Sequence, residues 1–168
     1  IRKLAHSLDP GIPLSRIREA ARERQWRFDN ALLQVETEIL HTLVGLRDKG
    51  VQLGLISNAS TDEVRAWPDS PLRPLFDTAL FSWECGLKKP DPAIYQLGLT
   101  RLGVEANQAL FVGDGGSREH QGAAASGIPS LLTSYFLGGA DEAELRQREA
   151  GSVGRIGHIG ELVTKVID

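Results

Sequence analysis

Short apolar segments alternate with segments of helical period from residue 37 to the end of the chain. The apolar segments span residues 51–57, 78–82, 109–114, 128–133 and 152–156, and each closes at or beside a Gly, Asn, Asp or Ser. The helical segments span residues 37–48, 60–67, 92–102, 118–126, 141–149 and 159–167. Alternating strands and helices are typical of a parallel sheet with helices on both faces. We therefore predict a Rossmann-like, three-layer α/β/α fold.

The first forty residues follow a different pattern. Residues 13–28 place Ile17, Ala21 and Phe28 at helical spacing, with arginine and glutamate between them. This spacing predicts an amphipathic helix at the surface. The sequence shows no strand pattern before residue 50.

The composition indicates an ordinary globular protein and limits its partners. Of 168 residues, 41% are hydrophobic and 24% are charged, and the net charge is −3, so we expect no nucleic-acid partner. A single cysteine, Cys85, excludes an intrachain disulfide and fits a reducing compartment, so we expect a cytoplasmic protein. No apolar stretch approaches the roughly 20 residues that cross a bilayer, so we expect no membrane association.

Polar residues follow the first predicted strand, and ligands of parallel sheets bind beyond such strand ends. Ser57 and Asn58 end this strand, and Ser60 with Glu63 forms a capping-box pattern just beyond it. A hydroxyl beside free helix N–H groups is an anion site, so Ser57 and Asn58 are candidate substrate-binding residues. The alternative is that both only form a polar turn and cap.

The predicted strand at 109–114 ends in a glycine-rich acidic loop. Asp114 lies in the GDGG sequence of residues 113–116, which allows a ligand to approach the backbone. We expect Ser117 to cap the next helix and Glu119 to lie in its first turn. Asp114 and Glu119 then supply the oxygen ligands that suit Mg²⁺. The alternative for Glu119 is compensation of the helix dipole, and we expect His120 to be a solvated helix residue.

The sequence ECGLKKPDP, residues 84–92, holds two lysines beside two prolines. Asp91 is expected to cap a helix that begins at Pro92, and the prolines stiffen the loop that carries Lys88 and Lys89. A lysine near two carboxylates balances the charge of a dianionic ligand, although a lone loop lysine is more often solvated. A hydroxyl, a lysine, two carboxylates and Mg²⁺ are together typical of phosphoryl transfer.

Three segments occur in the order LISNAS, FDTALFSWECGLKKPDPAIY and FVGDGGSREHQGAAASGI. In these segments the chain closely resembles the haloacid dehalogenase-like superfamily, in the subgroup of small hydrolases with a helical cap. The resemblance covers residues 37–135 well and the remainder loosely. It implies a partial helical cap at residues 1–36 and an α/β core at residues 37–168.

The resemblance also implies a role for each candidate residue. Ser57 would hold the transferring phosphoryl group, and Lys89 would screen the nucleophile and the phosphate, leaving Lys88 as a solvated neighbour. Asp114 would bind Mg²⁺. Glu119, which replaces the family's commoner aspartate, would act on the metal through a water.

The sequence departs from the family at the nucleophile, which is the first aspartate of an Asp-x-Asp motif on the central strand. No Asp-x-Asp occurs in the chain, and Asp77 matches a different aspartate of the family. The chain begins with Ile1 and contains no methionine, and its first residues resemble the inside of the cap. We therefore expect that the nucleophile strand belongs to a longer molecule, or that another chain supplies it, as in a homodimer.

Three functions are compatible with these features. The first is a Mg²⁺-dependent phosphatase of a small phosphorylated metabolite, which acts through an aspartyl-phosphate. The second is a 2-haloacid dehalogenase, which shares the Ser-Asn sequence but uses no metal and has no need of the GDGG loop. The third is an inactive binding or regulatory module, which the absent Asp-x-Asp favours and the retained polar residues disfavour.

Overall fold

A computed structural model describes residue 7 and residues 9–165 of the chain. In chain order its helices and strands are α1 (Leu14–Leu33), α2 (Thr37–Asp48), β1 (Gly54–Ser57), β2 (Thr78–Phe81), α3 (Ser82–Cys85), α4 (Pro92–Leu102), β3 (Phe111–Gly113), α5 (Glu119–Ala125), β4 (Ser130–Thr133), α6 (Glu142–Glu149), β5 (Gly154–Ile156) and α7 (Leu162–Lys165). From β3 onward the strands and helices alternate as the sequence predicts, whereas no α-helix separates β1 from β2.

Every strand pair in the described residues is parallel. Strand β1 pairs with β2, and the remaining strands form a second sheet in the order β3, β4, β5. Alternate residues face opposite sides: Phe111 packs in the cluster of α4 and α5, whereas Val112 packs in the cluster of α2 and α7. Helices therefore cover both faces, and the predicted α/β/α class with parallel strands is confirmed.

Two buried clusters hold these layers together. One joins α2 and α7 to the strands through Leu43, Leu46, Leu53, Leu131, Ile156 and Leu162. The other lies on the opposite face and consists of Leu80, Ile94, Tyr95, Leu99, Ala123 and Ile128. At roughly 1.5–3 kcal/mol for each large apolar side chain, these clusters are the main source of stability.

Strands β1 and β3 each have one unpaired edge within the described part of the chain. The carbonyl of Leu53 accepts from Asp77 N, and Phe111 N donates to the carbonyl of Pro129. Because backbone groups of successive residues point to opposite sides of a strand, Ile56 and Val112 direct theirs away from the paired neighbour. Strands β1 and β3 are only partly buried, whereas β2, which is also an edge strand, and the central β4 are largely buried.

Strand β1 begins three residues later than predicted. The backbone N–H of Leu53 donates to Asp77 Oδ2 at 2.8 Å, and the same carboxylate accepts from Arg47. The Asp77 side chain therefore takes the hydrogen bond of the Leu53 N–H, and strand pairing begins only at Gly54. These bonds, the Leu53 N–H first, also lower the pKa of Asp77.

The helix predicted at residues 60–67 is wrong. The segment forms turns that lead into a 3₁₀-helix at Trp67–Asp69. Glu63 does reach back to the N–H of Ser60, at 2.7 Å, but its own N–H bonds the Ser60 carbonyl three residues earlier. Pro68 has no N–H for a bond to residue 64, so the segment cannot extend as an α-helix.

Helix α1 confirms the amphipathic helix predicted at residues 13–28 and extends it to Leu33. Ile17 is its one buried residue. Its contacts with the turn after β1 are polar: Arg24 pairs with Glu63 at 2.8 Å, and Asp29 pairs with Arg65. The division into a cap at 1–36 and a core at 37–168 stays a prediction, and residues 1–6 of that cap and the end of the helix predicted at 159–167 lie outside the described residues.

Candidate active site

Ser57 and Asn58 lie at the carboxyl end of β1, as predicted. Within the described part of the chain, the Ser57 hydroxyl has no hydrogen-bond partner and is therefore free for a ligand. The Asn58 side chain instead bonds the backbone of Lys89 twice: its amide donates to the Lys89 carbonyl at 2.9 Å, and its carbonyl accepts from Lys89 N at 2.8 Å. Asn58 therefore joins the end of β1 to the lysine loop.

Lys89 points inward from this loop, whereas Lys88 is exposed. The Lys89 ammonium lies 2.6 Å from Glu119 Oε2, and the two side chains are only 13% and 4% exposed. The ammonium also lies 5.7 Å from the ring centre of Phe111. After the loop, Asp91 caps α4 by accepting from Ala93 N at 2.9 Å, and the helix begins at Pro92 as predicted.

Glu119 is the most constrained residue of the site. Its second carboxylate oxygen, Oε1, accepts from Gly115 N at 2.9 Å, and its backbone carbonyl accepts from the Tyr95 hydroxyl at 2.8 Å. A Cβ on Gly113 would lie 2.1 Å from Glu119 Oε1, so only glycine fits there. Both oxygens of Glu119 are thus already bonded to groups of the protein.

Asp114 is exposed and has an oxygen available. Its Oδ1 accepts from Gly116 N at 2.9 Å, while Oδ2 has no partner among the described residues. No group of three or more His, Cys, Asp or Glu that could hold a metal occurs in that part of the chain. Asp114 fits a Mg²⁺ ion that takes its other oxygens from water or phosphate. Each oxygen of Glu119 already accepts one bond, from Lys89 or Gly115, which favours the predicted action of Glu119 on the metal through a water.

The structure therefore brings the predicted residues into one connected group. Asn58 bonds Lys89, Lys89 pairs with Glu119, and Glu119 bonds the glycine that follows Asp114. Because Ser57 adjoins Asn58 and Asp114 adjoins Gly115 in the chain, this group links the ends of β1 and β3.

Comparison with known proteins decides the family. The family model described as haloacid dehalogenase-like hydrolase matches residues 2–133, well over half of the chain. The chain belongs to this family. Among the described residues of this hydrolase, no helix combines the length and apolar character needed to cross a membrane.

Several relatives of the hydrolase are phosphatases by name. It is 30% identical over 110 residues to the glyceraldehyde 3-phosphate phosphatase of Methanothermobacter thermautotrophicus. The aligned region covers 64% of this chain and 48% of the relative. It is 26% identical over 168 residues to the ribulose-1,5-bisphosphate 5-phosphatase of Halopiger xanaduensis, which covers 96% of this chain and 70% of the relative. The chain spans less than half of the length of the first curated relatives it matches.

The solved structures similar to this chain include a dehalogenase as well. The structure of 2-haloacid dehalogenase from Pseudomonas syringae pv. Tomato superposes with a TM-score of 0.59 and 27% identity, covering 95% of this chain and 65% of that one. Similarity to both groups agrees with membership of the haloacid dehalogenase-like hydrolase family, and phosphatases are among the named relatives.

Two local predictions in this region of the hydrolase are wrong. Ser117 does not cap α5: it belongs to a 3₁₀ turn, Gly116–Arg118, with φ 55°, and Arg118 precedes the helix. The backbone passes through two residues of positive φ before α5 begins, so Arg118 rather than Ser117 takes the cap position, and no side chain caps the helix. His120 is not solvated but 1% exposed, because its position in α5 faces the sheet.

His120 and Tyr95 are buried polar residues beside the hydrolase site. His120 Nδ1 lies 3.0 Å from Ser130 Oγ, and its Nε2 has no hydrogen-bond partner among the described residues. Burial lowers the pKa of His120, against the opposing effect of the Glu119 charge. Burial and the same charge raise the pKa of Tyr95, so its hydroxyl stays a donor to Glu119.

Sequence reasoning missed Tyr95 and Arg148. Tyr95 falls on the buried side of α4 with Ile94 and Leu99, and helical spacing could have shown its burial but not its hydroxyl contact. Arg148 donates to the carbonyl of Asp114 at 3.2 Å from a helix whose sequence is almost wholly polar. No pattern in that helix distinguishes one arginine from another.

Proposed function

We propose that this hydrolase is a Mg²⁺-dependent phosphatase of a small phosphorylated metabolite. The observation that carries the proposal is the buried pair of Lys89 and Glu119, bonded on one side to Asn58 beside Ser57 and on the other to the Asp114 loop. Taking a lysine and a carboxylate out of water is costly. An arrangement that fixes an ammonium between a strand end with a free hydroxyl and a loop with an exposed carboxylate suits a dianionic phosphoryl group.

Each residue has a proposed part in binding that group. The Ser57 hydroxyl donates to a phosphoryl oxygen, and Lys89 offsets its negative charge. Asn58 keeps the lysine loop in place through its two bonds to the backbone of Lys89. Because it follows Ser57 in the chain, it would contact the substrate as well. Asp114 would hold Mg²⁺, whose charge would neutralise the phosphoryl oxygens, and Glu119 orients Lys89.

The nucleophile is proposed to be an aspartate outside the 168 residues, on a strand that pairs with the open edges of β1 and β3. A strand there would satisfy the free backbone groups of Ile56 and Val112, and its carboxyl end would reach the level of Ser57 and Asp114. The aspartate oxygen attacks phosphorus as the bond to the leaving oxygen breaks and that oxygen takes up a proton. Water then hydrolyses the acyl phosphate, which restores the carboxylate and releases phosphate.

Dehalogenation is the second candidate, because a solved dehalogenase superposes on 95% of the chain. It would use Ser57, Asn58 and Lys89 around a substrate carboxylate. It leaves the exposed Asp114 carboxylate without a role. The named phosphatases among the relatives therefore favour phosphoryl transfer.

The first test is hydrolysis of p-nitrophenyl phosphate by the purified protein with and without Mg²⁺, with the intact mass measured on the same sample. We expect Mg²⁺-dependent turnover from a protein heavier than 18.3 kDa. Lys89→Ala should lower kcat by about 100-fold or more, whereas its exposed neighbour provides the control, Lys88→Ala, with nearly unchanged kcat.

Each other outcome contradicts a stated part of the proposal. Release of chloride from 2-chloropropionate without phosphatase activity would assign the dehalogenase function. Neither activity in a protein heavier than 18.3 kDa would support an inactive binding module. Turnover by a chain of 18.3 kDa would disprove a nucleophile outside these residues.

A further inference from the structure

The last turn of α6 contacts the loop that carries Asp114. Arg148 donates from Nη1 to the backbone carbonyl of Asp114 at 3.2 Å, and from Nε to Glu144 Oε1 at 3.0 Å. Its side chain is 31% exposed, so it is partly covered by the loop that it contacts. Glu144, one helical turn earlier, fixes the guanidinium in the direction of Asp114.

Backbone contacts join the same two regions. Gly115 has φ +79°, and a Cβ there would lie 2.4 Å from the carbonyl oxygen of Arg148. Gly151 has φ +93°, and a Cβ there would lie 2.9 Å from the backbone N of Gln121 in α5. The end of α6 and the loop after it thus contact the acidic loop and the following helix at distances that only glycine permits.

The acidic loop needs support because its backbone is strained. Ser117 and Arg118 both adopt positive φ, at 55° and 53°, directly before α5. Non-glycine residues rarely adopt this region, and they keep it only where neighbouring contacts enforce it. Among the described residues, Arg148 is the one side chain that donates to the backbone of Asp114.

We propose that Arg148 is a positioning residue for Asp114, which it keeps in the orientation that binds Mg²⁺. This inference rests on the proposed function, because it takes Asp114 as the metal ligand. The direction of the change in Mg²⁺ affinity distinguishes this positioning role from a simple charge effect. Removing a nearby positive charge would by itself tighten the binding of a cation, whereas loss of positioning weakens it.

The test is the Kd of the purified protein for Mg²⁺ alone, measured by isothermal titration calorimetry, with Tm measured in parallel. Arg148→Ala should raise the Kd by about 10-fold, as is typical when a partner of a metal ligand is lost. Arg148→Lys, which keeps a donor, should recover part of this loss, and Glu144→Gln should cause a smaller one. Arg146→Ala, an exposed arginine of the same helix, is the control and should leave the Kd unchanged.

The outcomes separate this inference from the proposed metal site. Unchanged or tighter Mg²⁺ binding in Arg148→Ala overturns the positioning role, and so does a lower Tm with an unchanged Kd. Asp114→Asn should abolish binding. If Asp114→Asn binds Mg²⁺ as well as the natural protein does, or if the natural protein binds none, the metal site itself is wrong and the role of Arg148 falls with it.

Discussion

The buried pair of Lys89 and Glu119 fixes the geometry of the site rather than adding to the stability of the fold. Buried pairs rarely contribute net stability, because desolvation offsets much of the attraction, but breaking one leaves a costly unpaired charge. Here the pair is extended by Asn58 on the lysine side and by Gly115 on the glutamate side. Asn58, Lys89 and Gly115, from three separate loops, and Glu119 at the start of α5 are therefore fixed relative to one another.

His120 predicts the pH dependence of stability. Its pKa is lowered in the folded protein, chiefly by burial, whereas in the unfolded chain it is about 6.5. Below that pH the unfolded chain binds a proton at His120 that the folded state resists. The contribution of His120 to the free energy of unfolding is therefore complete above pH about 6.5. It decreases as the pH falls, by up to about 1.4 kcal/mol per pH unit.

Urea unfolding between pH 5 and 8 measures this effect. His120→Phe, which keeps a ring against Phe111, should flatten the fall in the free energy of unfolding below pH about 6.5. The exposed His41 supplies a control, since His41→Gln should retain the natural pH profile. An equally steep fall in His120→Phe would assign the acid sensitivity to other groups.

At the scale of elements, local sequence rules worked where nearby bonds decide the structure. Helix α4 has the predicted limits because Asp91 supplies its cap and Pro92 its first residue. The segment at 60–67 carries an equally strong capping pattern, but Pro68 and the polar contacts with α1 prevented an α-helix. The cap predicted at Ser117 failed for another reason, because Ser117 and Arg118 both adopt positive φ and the helix begins only at Glu119.

The candidate site was predictable in its residue types but not in its bonds. The sequence placed Ser57, Lys89, Asp114 and Glu119 at strand ends because parallel strands share one functional edge. It could not show that Lys89 and Glu119 pair, since 30 residues separate them in the chain. Arg148 lies further still from Asp114, and only the packing of α6 brings it there.

Two helical glycines predict opposite effects of the same substitution. In α5, a Cβ at Gly122 would lie 2.6 Å from the Pro90 carbonyl and 2.7 Å from the Tyr95 hydroxyl, whereas at Gly45 in α2 nothing lies within 4 Å. Gly122→Ala should therefore destabilise the protein by about 1–3 kcal/mol through overpacking. Gly45→Ala should stabilise it by roughly 0.5–1 kcal/mol, because alanine is the better helix former.

Thermal unfolding of the two variants beside the natural protein provides the measurement. The contrast matters more than either value, since both changes add one methyl group. Equal shifts of Tm would mean that α4 and α5 do not approach as closely as Gly122 indicates.

At the scale of the whole molecule, the strands form two separate sheets, and the proposed nucleophile strand would join them. The strands that face it, β1 and β3, are the less buried members of their sheets, and each has backbone groups that no described strand satisfies. Unpaired edges of this kind invite pairing with another segment. The proposed nucleophile strand is thus also a structural element.

Hydrogen exchange tests this arrangement amide by amide. In the 168-residue chain alone, the Ile56 and Val112 amides should exchange faster than those of Leu55 and Gly113, which face the paired strands. In a protein that carries the added strand, all four should be protected to a similar extent. Slow exchange at Ile56 and Val112 in the isolated chain would mean that their edges are already covered.

Helix α1 is attached differently from the helices that cover the sheets, because its contacts with the turn after β1 are ionic and largely exposed. Arg24 with Glu63 and Arg65 with Asp29 are surface pairs, which contribute little in water. The apolar contacts of the helix include Ile17, its one buried residue, and Leu32, which packs against Ala59, Trp67 and Phe81. Ionic strength shortens the reach of such charges to about 3 Å at 1 M salt. The ionic part of the attachment of α1, and with it any substrate choice that the predicted cap exercises, should therefore respond to the salt concentration while the apolar core does not.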